Sequence, residues 1–255
     1  MDLRGKKALV TGARRSIGRG IAEALADAGC DVGINDIERD DDVEETLRRV
    51  RAHDTAAEFF QADISDAVEV DRMFGAFIER FDRIDILVNN AYWAKHTPFL
   101  DIERDVWDRT LAVCLTGYFV CSQVAARKMV EQGDGGSIVH ISSVHSRRVW
   151  PTDLAYGVAK AGIDRLTEGM AVDLGSYGIR VNAILPGYVD TEHPYGTPAL
   201  EHSLPAGRER FVPAGRYATP EDIGRAVVFF ASDSAANITG TTLPVDGGFL
   251  ATGIP

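Results

Sequence analysis

Cysteine is scarce in this chain, and its scarcity argues against two classes of protein. The 255 residues include three cysteines, Cys30, Cys114 and Cys121, an odd number without the close spacing of metal ligands. A disulfide framework needs paired cysteines, and a structural zinc site needs them at short intervals. We therefore expect neither a disulfide framework nor a metal site. Cys114 and Cys121, on one face of a predicted helix, are interpreted as small buried packing residues.

Positive charge and long apolar runs are also in short supply. The chain has 27 lysine and arginine residues against 38 aspartate and glutamate residues, a net charge of −11. That balance argues against nucleic acid or an anionic membrane as the main partner. No apolar stretch reaches the length of a membrane span, and the N-terminal sequence MDLRGKKALVTG has charges where a signal peptide needs an apolar run. These features predict a cytoplasmic protein without nucleic-acid or membrane partners.

The chain is rich in short apolar segments that alternate with segments of helical periodicity. Strands are predicted at 7–10, 31–36, 58–61, 84–88, 137–141, 180–184 and 241–245, and helices at 21–29, 67–80, 101–130, 154–174 and 221–230. Such alternation produces parallel sheets through right-handed crossovers. The predicted fold class is α/β, a single-domain Rossmann fold with a doubly wound seven-stranded parallel sheet and helices on both faces. It spans residues 1–255, and the loop-rich segment 188–219 is predicted to be a substrate lid within it.

The turn after the first strand has the composition of a phosphate-binding turn. Thr11, Gly12, Ser16 and Gly18 lie where backbone N–H groups and a helix N-terminus can hold a pyrophosphate. Asp36 ends the second strand about twenty residues further on, where an acid can accept hydrogen bonds from the adenosine ribose. The combination predicts a dinucleotide site.

Two residues bear on the choice between NAD and NADP. Asp36 would repel a 2′-phosphate, which favours NAD. Arg15 is the counter-argument, because a guanidinium in the turn could pair with that phosphate. We expect NAD, with NADP as the alternative, and Arg14 and Arg15 can also be interpreted as solvated loop charges.

Tyr156 and Lys160 form a second candidate site. They are four residues apart in a predicted helix, so both side chains leave from one face. We expect the ammonium to lower the pKa of the phenol from its ordinary value of about 10, so that Tyr156 can exchange a proton with a substrate hydroxyl or carbonyl. Ser143, near the end of the fifth strand, could hold the same substrate oxygen. For the tyrosine and lysine alone, a half-buried ring beside a solvated amine is the alternative.

Motifs along nearly the whole chain resemble those of the short-chain dehydrogenase/reductase family. They are TGARRSIG at 11–18, Asp63, NNA at 89–91, Ser143, Tyr156 with Lys160, Asn182, PGYVDT at 186–191 and DGG at 246–248. Their number and order make the resemblance specific. It implies that Tyr156 is the general acid/base, that Ser143 positions the substrate oxygen, and that Lys160 binds the nicotinamide ribose and lowers the pKa of Tyr156.

The resemblance also implies a wider cofactor site and an assembly. Asp63 would hold the adenine, Asn89 would line the cofactor groove, and Val189 and Thr191 would contact the carboxamide. A homotetramer is implied, with the long helix from Asp101, the Tyr156 helix and the apolar tail LPVDGGFLATGIP at interfaces. The full set of expected cofactor residues is Gly12, Arg15, Ser16, Ile17, Gly18, Asp36, Asp63, Ile64, Asn89, Ala91, Tyr156, Lys160, Pro186, Gly187, Val189 and Thr191.

Three positions depart from the family pattern. Ser16 and Tyr92 stand where the pattern has glycine, and Cys114 replaces an asparagine in the long helix. In the family, that asparagine stabilises a helix irregularity whose carbonyl holds a water between the lysine and solvent. Cys114 keeps a carbonyl but lacks the amide, which predicts a rewired proton path or a slow enzyme.

The loops expected around the nicotinamide are polar and aromatic. Trp93 follows the fourth strand, His145 and Trp150 follow Ser143, and His193 lies in the predicted lid. Such groups suit a sugar, a polyol or a small hydroxy compound better than a steroid or a long acyl chain. The stretch SSVH followed by Trp-Pro also resembles the glucose dehydrogenase branch of the family. We therefore expect oxidation of such a small-molecule alcohol or the reverse carbonyl reduction, although each of these residues singly could be an exposed loop residue.

Two other functions stay open. A 3-oxoacyl carrier-protein reductase would prefer NADPH and could face its acidic carrier with Arg147 or Arg148. A weakly active cofactor-binding regulator is the other, and the departures at Cys114 and Tyr92 favour it. The retained serine, tyrosine and lysine argue against a pure binding protein, which has no chemical need for them.

Overall fold

Seven strands form one parallel sheet in a computed structural model, which describes residues 1–191 and 211–252. The strands are β1 Lys7–Thr11, β2 Asp31–Asp36, β3 Ala57–Gln61, β4 Ile86–Asn89, β5 Gly136–Ile141, β6 Ile179–Pro186 and β7 Thr242–Val245. The helices are α1 Ser16–Asp27, α2 Asp41–Arg51, α3 Ala67–Phe81, α4 Arg104–Leu111, α5 Gly117–Gln132, α6 Leu154–Leu174 and α7 Pro220–Ala231. The strand order is β3-β2-β1-β4-β5-β6-β7 and every neighbouring pair is parallel, so the predicted Rossmann-like fold is confirmed.

Alternating apolar residues explain why helices cover both faces of this sheet. In β1, Val10 joins the core cluster that includes residues of α1, α2 and α7, whereas Leu9 joins the cluster that includes residues of α3, α5 and α6. Val88 and Leu87 divide in the same way in β4. Successive strand residues point to opposite faces, so each strand supplies both cores.

The strand order also sets where a ligand can bind. The chain builds β1, β2 and β3 toward one edge and then returns to place β4 on the other side of β1. The connections after β1 and β4 therefore leave the sheet toward opposite faces and open a crevice at the carboxyl ends of these strands. The residues of the candidate cofactor site follow the ends of the strands at this edge.

Two stretches differ from the predicted elements. No helix is predicted at Asp41–Arg51, yet α2 forms there. Val43, Leu47 and Val50 give it a buried stripe, and Asp40 caps it by accepting a hydrogen bond from the backbone N–H of Val43 at 3.2 Å.

The predicted helix 101–130 is the second difference. A π-helical turn at Ala112–Thr116 separates α4 from α5, and a short 3₁₀ turn at Phe99–Asp101 precedes α4. A π turn inserts one residue into the helical ladder without changing the composition of the helix. Apolar periodicity therefore predicts one long helix where there are two.

The predicted lid is described only at its two ends. Val189 and Ala218 form a parallel bridge, with Asp190 N donating to Ala218 O at 2.8 Å and Ala218 N donating to Tyr188 O at 2.9 Å. Residues 192–210 lie outside the described residues. The lid and the single-domain organisation stay predictions. In the two described ranges, no helix has both the length and the apolar character needed to cross a membrane.

Helices α1 and α7 approach closely at two glycines. A Cβ added to Gly224 would lie 2.6 Å from the carbonyl oxygen of Gly20 and 2.6 Å from the Cβ of Ala24. A Cβ added to Gly20 would lie 2.6 Å from the carbonyl carbon of Pro220. The two helices thus pack backbone against backbone.

We expect Gly224→Ala to lower the free energy of unfolding by about 1–3 kcal/mol, since the added methyl must push α1 and α7 apart. Gly75 in α3 is the matched control, because a Cβ there would meet nothing within 4 Å. Gly75→Ala should raise the free energy of unfolding by about 0.5–1 kcal/mol through helix propensity alone. Urea unfolding of both variants beside the parent measures the difference, and stabilisation by both would refute the close approach.

Candidate active site

The N-terminus of α1 has no side-chain cap in the part of the chain that the structure describes. Arg15 occupies the N-cap position without a capping hydrogen bond, and the first turn contains no acid. In contrast, α2, α3 and α7 are capped by Asp40, Asp66 and Thr219. The N–H groups of residues 16–18 and the positive end of the helix dipole therefore suit an anion such as a pyrophosphate.

Close contacts require glycine in this turn. Gly12 has a φ of +62°, and a Cβ there would lie 2.5 Å from the Cα of Ala91. A Cβ at Gly18 would lie 2.2 Å from the carbonyl oxygen of Gly12. Ser16 has a φ of +57°, in the left-handed region that favours glycine, so it keeps the backbone conformation that the family pattern requires. Ile17 follows it in the first turn of α1 and packs partly buried against the core.

Asn90 fixes the turn to the end of β4. Its Nδ2 donates to the carbonyl oxygens of Thr11 at 2.9 Å and Gly12 at 2.8 Å. In return, Thr11 Oγ1 accepts from the backbone N–H groups of Asn90 at 3.0 Å and Ala91 at 3.2 Å. Asn90 was not predicted as a site residue, although its place in NNA was a usable signal, and it sets the shape of the cradle.

Asn89 is anchored inside the protein. Its side chain is fully buried, and its Nδ2 donates to Ser122 Oγ at 2.9 Å, while its place in the cofactor groove stays a prediction. Ser122 lies 3.2 Å from Nε2 of His140, whose Nδ1 lies 2.9 Å from Thr167 Oγ1. Burial lowers the pKa of His140 to about 3, so this buried network is uncharged at neutral pH.

Asp36 stands beside the turn, as predicted. Its carboxylate accepts from the backbone N–H groups of Ile37 at 2.9 Å and Arg14 at 3.4 Å. Burial raises the pKa of Asp36, and these hydrogen bonds and the nearby Arg14 guanidinium oppose that shift. The remaining capacity of the carboxylate to accept hydrogen bonds is what a ribose hydroxyl would use.

The two arginines of the turn face acids. Arg14 is buried, contacts Glu38 and donates to Asp40 at 2.7 Å, so it is no solvated loop charge. Arg15 lies 3.7 Å from Asp42. Both cations therefore already have carboxylate neighbours, in the loop after β2 and the first turn of α2.

Asp63 is held between two elements. Its carboxylate accepts from Ser65 Oγ at 2.7 Å and from Arg109 Nη2 at 2.8 Å. Burial alone would raise the pKa of Asp63, but these hydrogen bonds lower it below its ordinary value. Ile64 is buried against Gly117. Contact of Asp63 and Ile64 with an adenine stays a prediction.

The residues after β6 lie at the same edge of the sheet. Pro186 is the last residue of β6, and a Cβ at Gly187 would lie 2.7 Å from the Cα of Asp246. Val189 is partly buried, and Thr191 is the last residue described before the gap. Their contacts with the cofactor stay predictions.

Ser143, Tyr156 and Lys160 are brought together as predicted. Ser143 lies two residues beyond β5, its Oγ accepts from the backbone N–H of His145 at 3.2 Å, and its side chain lies near the Tyr156 hydroxyl. Lys160 Nζ lies 5.4 Å from the centre of the Tyr156 ring. A phenol, a serine hydroxyl and a cation therefore share one end of the sheet.

The predicted net lowering of the pKa of Tyr156 is not found, because burial dominates. Burial raises the pKa of Tyr156 well above its ordinary value, and the nearby Ser143 hydroxyl only opposes that shift. The Lys160 ammonium is turned to the backbone carbonyl of Ile141 at 2.7 Å and to the hydroxyl of Tyr118 at 3.3 Å. Four-residue spacing thus brings the two side chains near each other without pairing them.

Cys114 lies inside the π turn, so the helix irregularity persists without an asparagine. Its thiol is fully buried, donates to Trp93 O at 3.3 Å and accepts from Trp93 N at 3.3 Å. The predicted packing role is therefore incomplete, because the thiol also holds the loop after β4. Tyr92 is 61% exposed, so its ring stands away from the protein interior.

Aromatic and charged groups form a wall beside Tyr156. The His145 ring stacks on Trp150, with centroids 4.0 Å apart and planes at 10°, and meets the Tyr156 ring edge-on at 5.4 Å. Asp153 lies between two imidazoles, 2.6 Å from Nδ1 of His145 and in contact with Nδ1 of His96. Sequence reasoning missed Asp153, because an aspartate just before a helix is typical of a cap, yet this carboxylate makes no capping hydrogen bond in the described chain.

Of the predicted substrate residues, the structure therefore gathers His145 and Trp150 at Tyr156. Trp93 is partly buried and is anchored through its backbone to Cys114. His193 lies outside the described residues.

Comparisons with known proteins place this geometry in a family. A family model described as "Enoyl-(Acyl carrier protein) reductase" matches residues 12–250. The L-rhamnose 1-dehydrogenase (NAD(P)(+)) of Sphingomonas sp. (strain SKA58) is 37% identical over 246 residues, covering 96% of each chain. The 3-oxoacyl-[acyl-carrier-protein] reductase of Synechocystis sp. is 35% identical over 252 residues, covering 97% of this chain and 98% of that one. The crystal structure of acetoin dehydrogenase YohF from Salmonella typhimurium superimposes with a TM-score of 0.87 at 33% identity, covering 97% of this chain and 96% of that one.

Similarity along almost the whole chain, on a sheet of this topology, defines an NAD(P)-dependent oxidoreductase that acts on CH–OH groups. The chain belongs to the short-chain dehydrogenase/reductase family, as its motifs predict. The uncapped helix and the glycine contacts of the first turn fit the pyrophosphate of such a cofactor.

We expect Gly12→Ala to weaken NAD binding by at least about tenfold, the equivalent of 1.4 kcal/mol. The added Cβ would collide with Ala91, and alanine resists the positive φ of this position. Isothermal titration of NAD into the folded variant measures the loss, and an unchanged affinity would contradict the cradle.

Ser16→Gly is the matched control, because glycine accepts the φ of +57° found there. It should retain NAD binding and raise the free energy of unfolding by about 1 kcal/mol. A tenfold loss of affinity in Ser16→Gly would instead show that the Ser16 hydroxyl itself contacts phosphate.

Proposed function

We propose that this protein oxidises a sugar, a polyol or another small hydroxy compound with NAD. The observation that carries the proposal is the wall beside Tyr156, in which Asp153 bridges His96 and His145 and Trp150 stacks on His145. The named activities of two relatives, on rhamnose and on acetoin, are consistent with a small hydroxylated substrate.

The wall offers oriented hydrogen-bonding groups. Burial would raise the pKa of Asp153, but its contacts with His145 and His96 lower it below its ordinary value, so it stays a carboxylate. Because Nδ1 of each imidazole faces this carboxylate, Nε2 is the ring nitrogen turned toward other partners. Two such nitrogens beside the flat face of Trp150 suit neighbouring hydroxyls on a carbon skeleton.

Three residues would perform the proton chemistry. Tyr156 accepts the proton of the substrate hydroxyl, and Ser143 donates a hydrogen bond to the developing alkoxide. Lys160 supplies positive charge to the site and would hold the nicotinamide ribose. General acid/base assistance of this kind is worth roughly 10²–10⁴-fold. NAD, when bound, supplies the hydride acceptor and a positive nicotinamide ring.

The end of β2 supports NAD over NADP. A 2′-phosphate would meet the Asp36 carboxylate, while the Arg14 guanidinium is taken up by Glu38 and Asp40. Arg15 is the cation nearest to solvent in the turn, and it already faces Asp42 at 3.7 Å. Binding the 2′-phosphate of NADP there would require breaking existing ion pairs.

A 3-oxoacyl reductase is the second candidate, supported by the family-model description and by the relative of that name. The arginines that would bind an acidic carrier protein already contact other groups of this chain. Arg147 donates to Thr242 and lies 3.5 Å from Asp164, and Arg148 donates to the carbonyl oxygen of Thr252. The case for a weakly active regulator loses support, since Cys114 holds Trp93 in place and Tyr92 points outward.

We infer a homotetramer on the family resemblance and on the exposed apolar side chains of the predicted interface helices. Phe119 in α5 is 45% exposed, and Val158 and Val172 in α6 are 42% and 82% exposed. Apolar groups on two neighbouring helices favour burial against another copy of the chain. The cytoplasmic location stays a prediction.

We expect the purified protein to reduce NAD with at least one aldose, polyol or small hydroxy compound from a panel, and to prefer NAD to NADP. Absorbance of the reduced nucleotide measures both, with the two nucleotides run in parallel. NADPH-dependent reduction of a 3-oxoacyl thioester, with silence across the panel, would support the second candidate instead.

The part played by the wall is measured with Asp153→Asn in the same assays. Losing the charge between His96 and His145 should raise KM for the active substrate by about tenfold and leave the Kd of NAD unchanged. Asp173→Asn, an exposed change further along α6, is the matched control. Equal KM values in all three proteins would remove the wall from substrate recognition.

Tyr156→Phe should lower kcat at least about 10²-fold while preserving the Kd of NAD, because the substitution keeps the aromatic ring and removes the hydroxyl that accepts the proton. Since burial raises the pKa of Tyr156, we also expect the oxidation rate of the parent protein to increase as pH rises from neutral. Tyr177→Phe, at an exposed tyrosine beyond α6, should match the parent in both respects. Retained turnover in Tyr156→Phe would end the assignment.

A further inference from the structure

The ammonium of Lys160 lies in an enclosed pocket of the protein interior. The residue is 1% exposed, and its Nζ donates to the carbonyl oxygen of Ile141 at 2.7 Å and to the hydroxyl of Tyr118 at 3.3 Å. Nζ also lies 4.9 Å from the centre of the Tyr118 ring, within the range of a cation–π contact. Tyr118 therefore meets this cation with both its hydroxyl and its ring.

Tyr118 is itself fixed on all sides. It is fully buried in the first turn of α5, and its hydroxyl donates to the same carbonyl oxygen of Ile141 at 3.3 Å. Burial raises the pKa of Tyr118 well above the ordinary value, so the phenol keeps its proton and remains a donor to Ile141 while accepting from Lys160. The phenol, the carbonyl and the ammonium form a closed triangle.

The other polar groups around Lys160 have partners elsewhere. Asp164 accepts hydrogen bonds from Ser142 at 2.6 Å and Ser146 at 2.7 Å. The thiol of Cys114 is occupied by the backbone of Trp93.

His140, on β5, belongs to the uncharged network with Ser122 and Thr167. Tyr156 faces the ammonium with its ring, 5.4 Å from Nζ to the ring centre. Among the described residues, Tyr118 is thus the one whose side-chain oxygen hydrogen-bonds the cation.

We propose that Tyr118 is a positioning residue for the reaction, resting on the proposed function of Tyr156 and Lys160. Its hydroxyl and ring hold the Lys160 ammonium against the Ile141 carbonyl at the end of β5. An ammonium has three N–H donors, and these two contacts leave one for the side of the site where Tyr156 lies. The same helical segment therefore contacts the site twice. Cys114 hydrogen-bonds the backbone of Trp93, and Tyr118, one turn further along, accepts a hydrogen bond from Lys160.

Removing the Tyr118 hydroxyl should change the charge state of Lys160. Lys160 would lose a hydrogen bond that favours its charged form, so its pKa, already lowered by burial, would fall further. A weaker or displaced cation gives the Tyr156 phenolate less support. The reaction should then need a higher pH to reach the same rate.

Tyr118→Phe tests the proposal because it keeps the ring and removes the oxygen. We expect kcat to fall by about tenfold with little change in KM, and the alkaline limb of the kcat profile to move up by about half a pH unit or more. The substrate is whichever compound the panel identifies.

A second readout needs neither substrate nor nucleotide. Reductive methylation of Lys160 with formaldehyde and a borane reductant, followed by peptide mass spectrometry at one pH, reports how available the neutral amine is. We expect Lys160 to be modified several-fold faster in Tyr118→Phe than in the parent, since a lower pKa leaves more neutral amine. The Lys160 modification rate can be measured even if the panel finds no substrate. Failure of the proposed function and failure of the positioning role are therefore distinguishable.

Thr167→Val is the matched control. It removes a different buried hydroxyl, on α6, which contacts His140 and not Lys160. It should lower the thermal midpoint of unfolding without moving the pH profile or the Lys160 modification rate. Tyr118→Met, which lacks both ring and hydroxyl, serves if Tyr118→Phe does not fold and should show the same changes. Parent-like kcat, pH profile and Lys160 modification in a folded Tyr118 variant would make Tyr118 a packing residue and overturn the proposal.

Discussion

A buried ammonium is the constraint on which the active-site end of this molecule depends. Lys160 is removed from water, and such a charge is tolerated only where fixed acceptors replace the solvent. The acceptors come from three elements, namely the carbonyl at the end of β5, the Tyr118 phenol on α5 and the Tyr156 ring one turn earlier on α6. The register of α5 and α6 against the sheet is therefore coupled to the position of the Lys160 ammonium.

Departures from the family pattern are accommodated by keeping geometry while changing chemistry. Ser16 adopts the left-handed backbone that glycine would adopt, with a side chain small enough to be tolerated. Cys114 lies in a π turn that forms without an asparagine, and its thiol hydrogen-bonds the backbone N–H and the carbonyl oxygen of Trp93. Neither change removes the serine, tyrosine and lysine proposed to perform the proton chemistry.

Several contacts in the site link residues far apart in the chain, and these are the ones that sequence reasoning missed. Asp153 looks like a helix cap, and only the fold brings His96 to it from the loop after β4. Tyr118 and Lys160 are 42 positions apart, with no pattern that connects them. Likewise α2 was missed because charged residues hide its narrow apolar stripe, and the π turn was missed because it changes the helical ladder without changing composition.

The sequence by itself determined the α/β class, the number of strands, the glycine turn at Gly12 and the grouping of Ser143, Tyr156 and Lys160. These follow from periodicity, glycine chemistry and motif order, which are local and therefore readable along the chain. Only the tertiary structure decided where the Lys160 ammonium points, that the pKa of Tyr156 is raised, and that Arg14 is buried among acids. Burial and charge pairing are properties of surroundings that fold together from distant segments, so spacing in the sequence cannot specify them.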